Sequence, residues 1–272
     1  DTVQAAVSWT LGTNLENLTL TGTAAQGNGN GLANRLEGNA SANTLNGGVG
    51  ADTLVGGTGN DTYQVDNLGD LVSEVAGQGA DKVIATIDYV MAGEVENLDL
   101  GSGASRGTGN ALANQINGNT AANTLNGGAG NDTLVGGAGN DIYVVDSTSD
   151  VITEVTTTTT EIDTVQAAVS WTLGTNLENL TLTGTGAING VGNGAANALN
   201  GNGAANRLEG GLGNDTLDGG IGNDNMVGGD GNDSYYVDNL NDLVSETSTI
   251  ATTGGSDTVN SRLASYTLSA NV

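Results

Sequence analysis

The amino-acid sequence repeats every nine residues over long stretches, and this period limits the chain to folds built from many similar small units. From Gly29 the repeats read GNGLANRLE, GNASANTLN, GGVGADTLV, GGTGNDTYQ and VDNLGDLVS, and two further arrays in register begin at Gly109 and Gly192. Position six is Asn in the early repeats and Asp in the later ones, and position eight is almost always large and apolar or Tyr. The pattern predicts a solenoid, in which each repeat packs only against its neighbours.

A longer period encloses the nonapeptides. The segment Asp1–Thr23 recurs letter for letter at Asp163–Thr185, and diverged copies begin at Asp81 and Asp257. The repeats therefore predict superunits at 1–80, 81–162 and 163–256, and the start of a truncated fourth at 257–272. Because the repeat phase is kept so closely, we expect one continuous solenoid; the alternative is a string of short rolls joined by β-bridges.

Two places depart from the period. The run Thr156–Thr160 is predicted to be a polar loop without chemistry of its own. Asp1 opens inside a repeat, and the last copy stops before the place where the others read ENL. We therefore expect the sequence to be cut from a longer protein.

Composition excludes several classes of protein. There is no Cys, which excludes disulfides and thiolate metal sites, and no apolar run approaches the roughly 20 residues of a membrane helix. The formal net charge of −26 argues against nucleic acid as a partner. With 46 Gly, no Phe and 3% aromatic residues, a single thick core is not expected. A thin core shared along a solenoid axis fits this composition better.

The nonapeptide spacing predicts one tight turn and one short strand per repeat. Gly at positions one, two and four permits positive φ, and Asn or Asp at five and six tolerates the left-handed region. The next three residues form a strand with one inward side chain. Two nonapeptides then make one coil, so that turn n stacks on turn n+2 at about 4.8 Å. The side chains predicted to line the core are Leu54, Tyr63, Leu134, Tyr143, Leu217, Met226 and Tyr235.

This stacking brings acidic side chains together. Carboxylates about 5 Å apart repel by roughly 3 kcal/mol per pair at an intermediate dielectric constant. Turn carbonyls point into the same gap, and no basic residue is near in sequence. Such an all-oxygen site suits Ca²⁺ better than Mg²⁺, which needs a tighter octahedron, or Zn²⁺, which lacks its His and Cys ligands here. The predicted stacked pairs are Asp52 with Asp70, Asp132 with Asp150, Asp215 with Asp233, and Asp224 with Asp242.

The repeats resemble the RTX (repeats-in-toxin, haemolysin-type calcium-binding) family, whose consensus is GGxGxD followed by x, a large apolar residue and x. GGAGNDTLV at Gly127, GGLGNDTLD at Gly210 and GGIGNDNMV at Gly219 fit it closely. The resemblance implies an all-β fold, a right-handed parallel β-roll with one Ca²⁺ between turns n and n+2. It also implies type I secretion of an unfolded chain that folds outside the cell.

The resemblance further implies the ligands, which are position-six carboxylates and backbone carbonyls at positions two and four. The carboxylates are those of Asp52, Asp61, Asp70, Asp132, Asp141, Asp150, Asp215, Asp224, Asp233 and Asp242. The carbonyls are those of Gly48, Gly50, Gly57, Gly59, Gly128, Gly130, Gly137, Gly139, Gly211, Gly213, Gly220, Gly222, Gly229 and Gly231. We expect about eight to twelve ions.

Asn at position six departs from the consensus. Either these turns stack through hydrogen bonds without metal, or they contribute to mixed Asn–Asp calcium sites. They are Asn34, Asn43, Asn114, Asn123, Asn197 and Asn206.

The segments between arrays are predicted to form two or three longer strands that continue the solenoid without metal. Apolar residues alternate at Val3, Ala5, Val7, Trp9 and Leu11. We interpret Trp9 and its repeat Trp171 as core or capping aromatics, with a sugar-stacking platform as the alternative. The five basic residues, Arg35, Lys82, Arg106, Arg207 and Arg262, are scattered and expected to be solvated.

No catalytic constellation is evident, because the chain has no His or Cys, no Ser in an elbow motif, and acids that follow the repeat. We therefore expect a non-enzyme, the structural body of a large secreted bacterial protein such as an adhesin, surface-layer component or filament. The alternative is a calcium-folded module of a secreted protease, lipase or alginate epimerase. The coil ends are exposed in either case and are predicted to permit end-to-end association into fibres or a surface layer.

Overall fold

The computed structural model describes residues 1–155, 160–246 and 255–268. Within these ranges the chain contains 29 short strands and no helix, and it divides into two compact units, Asp1–Gly137 and Ala138–Val272. Residues 156–159 of the predicted polar loop, and residues 269–272 of the fourth superunit, lie outside the described residues. The superunit boundaries stay predictions.

The first unit contains sixteen strands. They are β1 (Thr2–Ala5), β2 (Trp9–Thr10), β3 (Asn17–Leu20), β4 (Gln26–Asn28), β5 (Arg35–Glu37), β6 (Thr44–Asn46), β7 (Thr53–Val55), β8 (Thr62–Val65), β9 (Leu71–Ser73), β10 (Lys82–Ala85), β11 (Tyr89–Val90), β12 (Asn97–Leu100), β13 (Arg106–Thr108), β14 (Gln115–Asn117), β15 (Thr124–Asn126) and β16 (Thr133–Val135). Strands β1, β3, β5, β7 and β9 form one sheet, the even-numbered strands form a second, and β11, β13 and β15 form a third.

The second unit contains thirteen strands. They are β17 (Ile142–Val145), β18 (Val151–Thr153), β19 (Thr164–Ala167), β20 (Trp171–Thr172), β21 (Asn179–Leu182), β22 (Gly190–Val191), β23 (Ala198–Asn200), β24 (Arg207–Leu212), β25 (Thr216–Asp218), β26 (Asn225–Asp230), β27 (Ser234–Val237), β28 (Leu243–Ser245) and β29 (Thr258–Ser261). The odd-numbered strands form one sheet, and β20, β22, β24, β26 and β28 form another.

Each unit is a parallel β-solenoid, because consecutive strands alternate between sheets and the described pairings are parallel. Within the arrays the register is 18 residues per coil: Arg35 pairs with Thr53, and Thr44 pairs with Thr62. The predicted stacking of turn n on turn n+2 is therefore confirmed. The segments between arrays continue the ladders, since β8 pairs with β10 in the first unit and β17 pairs with β19 in the second.

The core is one side chain thick, as the composition predicted. Most array strands bury only their middle residue, and the seven predicted core side chains have no exposed surface. On one face of the first unit, Leu18, Leu36, Leu54 and Val72 lie in adjacent strands at matching positions. Removing one such leucine side chain is expected to cost about 2–5 kcal/mol, because the neighbours cannot collapse into the space.

Glycine has two different roles in the turns. All fourteen glycines predicted at positions two and four have positive φ, for example +81° at Gly48 and +146° at Gly50. Position one is different, because Gly47 lies outside the left-handed region and a Cβ there would overlap the Asp52 carboxylate. The expectation of positive φ at position one is therefore wrong, and close approach, not backbone conformation, requires glycine there.

The left-handed non-glycine residues lie outside the arrays. Among the described residues these are Asn14, Glu94 and Asn176, which occupy equivalent turns of the three intervening segments. Asn and Asp at positions five and six tolerate the left-handed region but do not adopt it here, because glycines at positions two and four provide the turn.

The first intervening segment is less regular than predicted. Ala5 and Leu11 are buried, but Val7 and Trp9 are 63% and 44% exposed. The chain bends between β1 and β2, so the predicted alternation does not continue across the bend. The interpretation of Trp9 as a core aromatic is wrong, and its repeat Trp171 is half-buried on the equally short β20.

Replacing Glu94 by Asn is expected to stabilise the fold by about 1 kcal/mol. A left-handed conformation costs most residues roughly 1–2 kcal/mol, and Asn tolerates it better. Urea unfolding at saturating calcium measures the change. The reciprocal control, Asn14→Glu, should destabilise by a similar amount; equal midpoints for both variants would show that neither turn is strained.

Candidate metal centre

The position-six side chains form buried columns along the turns of each unit. Asp52, Asp61, Asp215, Asp224 and Asp233 are each 1% exposed. Between stacked turns such as those of Asn34, Asn43 and Asp52, the backbone N–H at position six of one turn donates to Oδ1 of the turn stacked on it. Asn34 N lies 2.7 Å from Asp52 Oδ1, and Asp52 N lies 3.0 Å from Asp70 Oδ1. The stacking of Asp215 with Asp233 and of Asp224 with Asp242 is confirmed by equivalent bonds.

The second carboxylate oxygen is the unusual feature of these columns. In Asp52, Asp61, Asp215, Asp224 and Asp233 the Oδ2 atom is buried and has no hydrogen-bond partner within the described residues. An unpaired buried carboxylate costs several kcal/mol of desolvation, and folded proteins pair such groups or place them on metal ions. These orphan oxygens therefore fit a bound cation.

Backbone carbonyls surround the same turns. A Cβ added at Gly229 would overlap Gly211 O, and one added at Gly231 would overlap Gly213 O. The carbonyls at positions two and four of one turn thus point at the same positions of the turn two repeats later. Gly211 and Gly213 are two of the carbonyl ligands predicted from the sequence. Carboxylate and carbonyl oxygens together form the hard-oxygen set that Ca²⁺ prefers.

The Asn side chains at position six are hydrogen-bonded to backbone groups of their own and neighbouring turns. Asn34 Oδ1 accepts from the Asn30 N–H at 2.7 Å, and its Nδ2 donates to Leu15 O at 3.0 Å. The side chains of Asn43, Asn114, Asn197 and Asn206 make the same two kinds of bond to backbone groups. Both polar atoms of the Asn34 side chain already have hydrogen-bond partners, which favours the hydrogen-bonded alternative over mixed sites.

In the last repeat of each array, backbone N–H groups of the turn donate hydrogen bonds to the aspartate at position six. These repeats begin VDNLGD, VDSTSD and VDNLND. Asp70 Oδ2 accepts from the backbone N–H groups of Asp66 and Asn67, at 3.2 and 3.1 Å. Asp150 and Asp242 are held in the same way by their own turns. Because these repeats lack the glycines at positions one and two, their turn directs amides at the carboxylate. Asp70, Asp150 and Asp242 therefore have less capacity for metal than the other predicted acids.

The structure also gathers acids that the sequence argument missed. The carboxylates of Asp61, Glu74 and Asp81 approach within 4.8 Å of one another. We call this group and its two equivalents the terminal clusters; the others are Asp141, Glu154 and Asp163, and Asp233, Glu246 and Asp257. The signal was in the sequence, because a Glu follows each array at constant offset and the third acid begins each D-T-V or D-K-V motif.

The columns continue into these clusters despite the irregular spacing. Asp61 N donates to Asp81 Oδ1 at 2.7 Å across 20 residues, where the array bonds span 18. Asp141 N reaches Asp163 across 22 residues and Asp233 N reaches Asp257 across 24. The next coil adds a Glu, since Asp81 N donates to Glu96 Oε2. The loop lengths differ, but the acid occupies the same place in each column.

The ion pairs found among the described side chains involve acids outside the columns. Arg35 pairs with Glu37, Lys82 with Asp99, and Arg207 with Glu209. Arg262 lies 3.5 Å from Asp218. The four basic side chains are 40–62% exposed, so they are solvated as expected, while each also pairs with an acid. Surface pairs of this kind are worth about 0–1 kcal/mol each.

The pKa values of the buried acids are raised, because burial disfavours the charged carboxylate. Burial, followed by the charge of the stacked Asp233, raises the pKa of Asp215 to about 7, against the opposing hydrogen bond from Asn197. The same causes raise the pKa of Asp61 and of Asp224 to about 6, with Asp81 and Asp242 as the respective stacked acids. Without a cation, a larger fraction of these carboxyls is protonated near neutral pH than for an exposed aspartate.

A parallel solenoid with glycine turns and columns of buried, unpaired carboxylates defines the class of calcium-binding β-rolls. Residues 28–63, 108–143 and 192–243 match the family model of the RTX calcium-binding nonapeptide repeat, in four copies. These stretches of the chain carry RTX calcium-binding nonapeptide repeats, and such repeats bind Ca²⁺. The resemblance seen in the sequence is thereby confirmed.

No curated protein matches the chain. No helix among the described residues has the length and apolar character needed to cross a membrane.

Replacing Asp215 by Asn tests the column directly. The fold should accept Asn, which already occupies position six at Asn197 in the coil before, whereas calcium loses a charged ligand. We expect the calcium affinity of the third array to fall about tenfold or more. Calorimetric titration measures this, with Asp230→Asn, at position three of a neighbouring repeat, as the charge-matched control. Equal affinities in the two variants would remove Asp215 from the ligand set.

The raised pKa values predict opposite effects of pH on the metal-free fold and on calcium binding. The folded chain holds protons that the unfolded chain, with Asp near its ordinary pKa of about 3.9, releases. The stabilisation of the metal-free fold is therefore complete below about pH 4 and is lost as pH rises through 6–7. Calcium competes with the same protons, so its affinity should rise over that range. Circular dichroism with and without calcium from pH 4 to 8 checks both signs; metal-free β-structure that increases with pH would contradict the assignment.

Proposed function

We propose that this chain is the calcium-dependent structural repeat region of a large secreted bacterial RTX protein, of adhesin, surface-layer or filament type. It folds when it binds Ca²⁺ outside the cell. The observation that carries the proposal is the row of buried Oδ2 atoms without partners, at Asp52, Asp61, Asp215, Asp224 and Asp233.

Energetics favour an unfolded metal-free chain at neutral pH. The 46 glycines carry a high conformational entropy cost on folding, and the thin core offers limited apolar burial to offset it. The buried carboxylates add desolvation and mutual repulsion. Bound calcium reverses the electrostatic part, so the free energy of metal binding becomes free energy of folding.

This coupling suits a protein exported as an unfolded chain. Calcium is scarce in the bacterial cytosol and millimolar outside, so the same sequence would stay unfolded before export and fold after it. In this proposal the residues supporting the ion are the orphan-oxygen acids and the turn carbonyls such as those of Gly211 and Gly213.

A mechanical role is supported by repetition. Asp1–Thr23 and Asp163–Thr185 are identical, and the intervening segments continue the parallel ladders within each unit. Repetition of one coil extends a solenoid and stiffens it without adding a new chemical site. Strands at the coil ends would allow further copies to add, which is the proposed route to fibres or a surface layer.

Calcium titration followed by circular dichroism tests the proposal. We expect little β-structure at pH 7.5 in the presence of EGTA, cooperative gain of β-structure at calcium concentrations up to millimolar, and reversal on renewed chelation. Magnesium is the control and should give a much smaller gain, because it demands a tighter octahedral site. Full β-structure that remains after chelation would contradict calcium-dependent folding.

A further inference from the structure

The terminal clusters differ from the other turns in their chemistry. An array turn offers one buried carboxylate and backbone carbonyls, whereas the first terminal cluster brings together three carboxylates from Asp61, Glu74 and Asp81. Asp61 is 1% exposed, and its Oδ2 atom has no hydrogen-bond partner within the described residues. The chain therefore concentrates more negative charge here than at its other turns, with a buried oxygen aimed into the cluster.

The space for an ion is made by a missing side chain. A Cβ placed on Gly56 would overlap Asp61 Oδ2, Tyr63 Oη and Glu74 Oε1, so these three oxygens converge on one point. In the third superunit, Asp233 Oδ2 and Tyr235 Oη converge on Gly228 in the same way. Asp233 Oδ2 is likewise buried and without a partner among the described residues.

A tyrosine positions the glutamate. The Tyr63 hydroxyl donates to Glu74 Oε1, and the ring is fully buried in the core. Tyr143 and Tyr235 bond to Glu154 and Glu246 in the same way, each across 11 residues. The loop to the third acid varies, with separations of 20, 22 and 24 residues between the two aspartates. The cluster therefore forms three times although the number of residues between its two aspartates differs.

We propose that each terminal cluster is a second type of calcium site, with three carboxylates oriented by a tyrosine hydroxyl, that fills before the sites of the nonapeptide turns. Calcium affinity rises with the number of charged ligands, and the terminal clusters exceed the array turns in that number. This inference rests on the proposed calcium-dependent folding.

The buried tyrosines supply a direct readout. Terbium(III) replaces calcium at oxygen sites and emits when a nearby tyrosine is excited, so Tyr63, Tyr143 and Tyr235 report on the terminal clusters. We expect emission to saturate at about three equivalents of terbium, one for each cluster, and calcium to compete for them. The array turns should fill at higher concentration with little further emission.

The decisive variant carries Glu74→Gln, Glu154→Gln and Glu246→Gln. Its terbium affinity should fall about tenfold or more, since even outer-shell partners of a metal are worth about that much. The control carries Glu37→Gln, Glu94→Gln and Glu209→Gln, which removes equal charge outside the clusters and should leave the emission unchanged. The single Glu74→Gln variant should bind one third fewer equivalents of terbium with high affinity. It replaces the triple variant as the test if the triple variant does not fold in calcium.

Two results would overturn the assignment: tight emission retained in the triple variant, or emission retained when Tyr63, Tyr143 and Tyr235 are replaced by Phe. A wild-type chain whose circular dichroism does not respond to calcium would instead remove the proposed function. If the wild-type chain folds with calcium and the triple glutamate variant binds terbium like its control, the proposed function stands and only the proposal of a second type of site fails.

Discussion

A buried carboxylate oxygen without a hydrogen-bond partner is the constraint on which this structure depends. In the Asp turns one oxygen accepts the amide of the previous coil, and the other faces a gap lined by backbone. Water cannot reach this atom, and no lysine or arginine of the described ion pairs neutralises it. A divalent cation would supply the charge that the chain lacks, which is why we propose that folding and metal binding are one equilibrium.

The change from Asn to Asp along each array turns a self-sufficient coil into a metal-dependent one. Asn34 and Asp52 occupy the same position of stacked turns, yet Asn34 completes its hydrogen bonds with backbone while Asp52 retains an unpaired oxygen. The repeat that ends the column, at Asp70, closes the carboxylate with its own amides. Along this column, the turns at Asn34 and Asp70, whose side chains are fully hydrogen-bonded, therefore lie on either side of the turn at Asp52, which retains an unpaired oxygen.

The solenoid tolerates irregular coil lengths because only the strand register and the column bonds are fixed. Coils of 15, 18, 20, 22 and 24 residues all place an acid under the amide of the preceding coil. The entropic cost of closing a longer coil grows only slowly with its length. Tyr63 and Glu74 show what this freedom permits, because a side chain from the longer coil reaches back into the column.

The sequence by itself determined the period, the parallel coil of two nonapeptides, the inward residue at position eight and the metal chemistry. These follow from local rules, since glycine spacing sets the turns and a nine-residue period sets the stacking. It did not give the role of Gly47, the exposure of Trp9, the self-closure at Asp70 or the terminal clusters. The first three depend on the exact conformation of one turn: a Cβ that would overlap a carboxylate, a bend that breaks alternation, and amides that reach the aspartate of their own turn. The terminal clusters depend on residues 11 to 24 positions apart, which come together only after the coil has closed. Tertiary structure decided all four because a residue pattern does not specify which atoms come into contact.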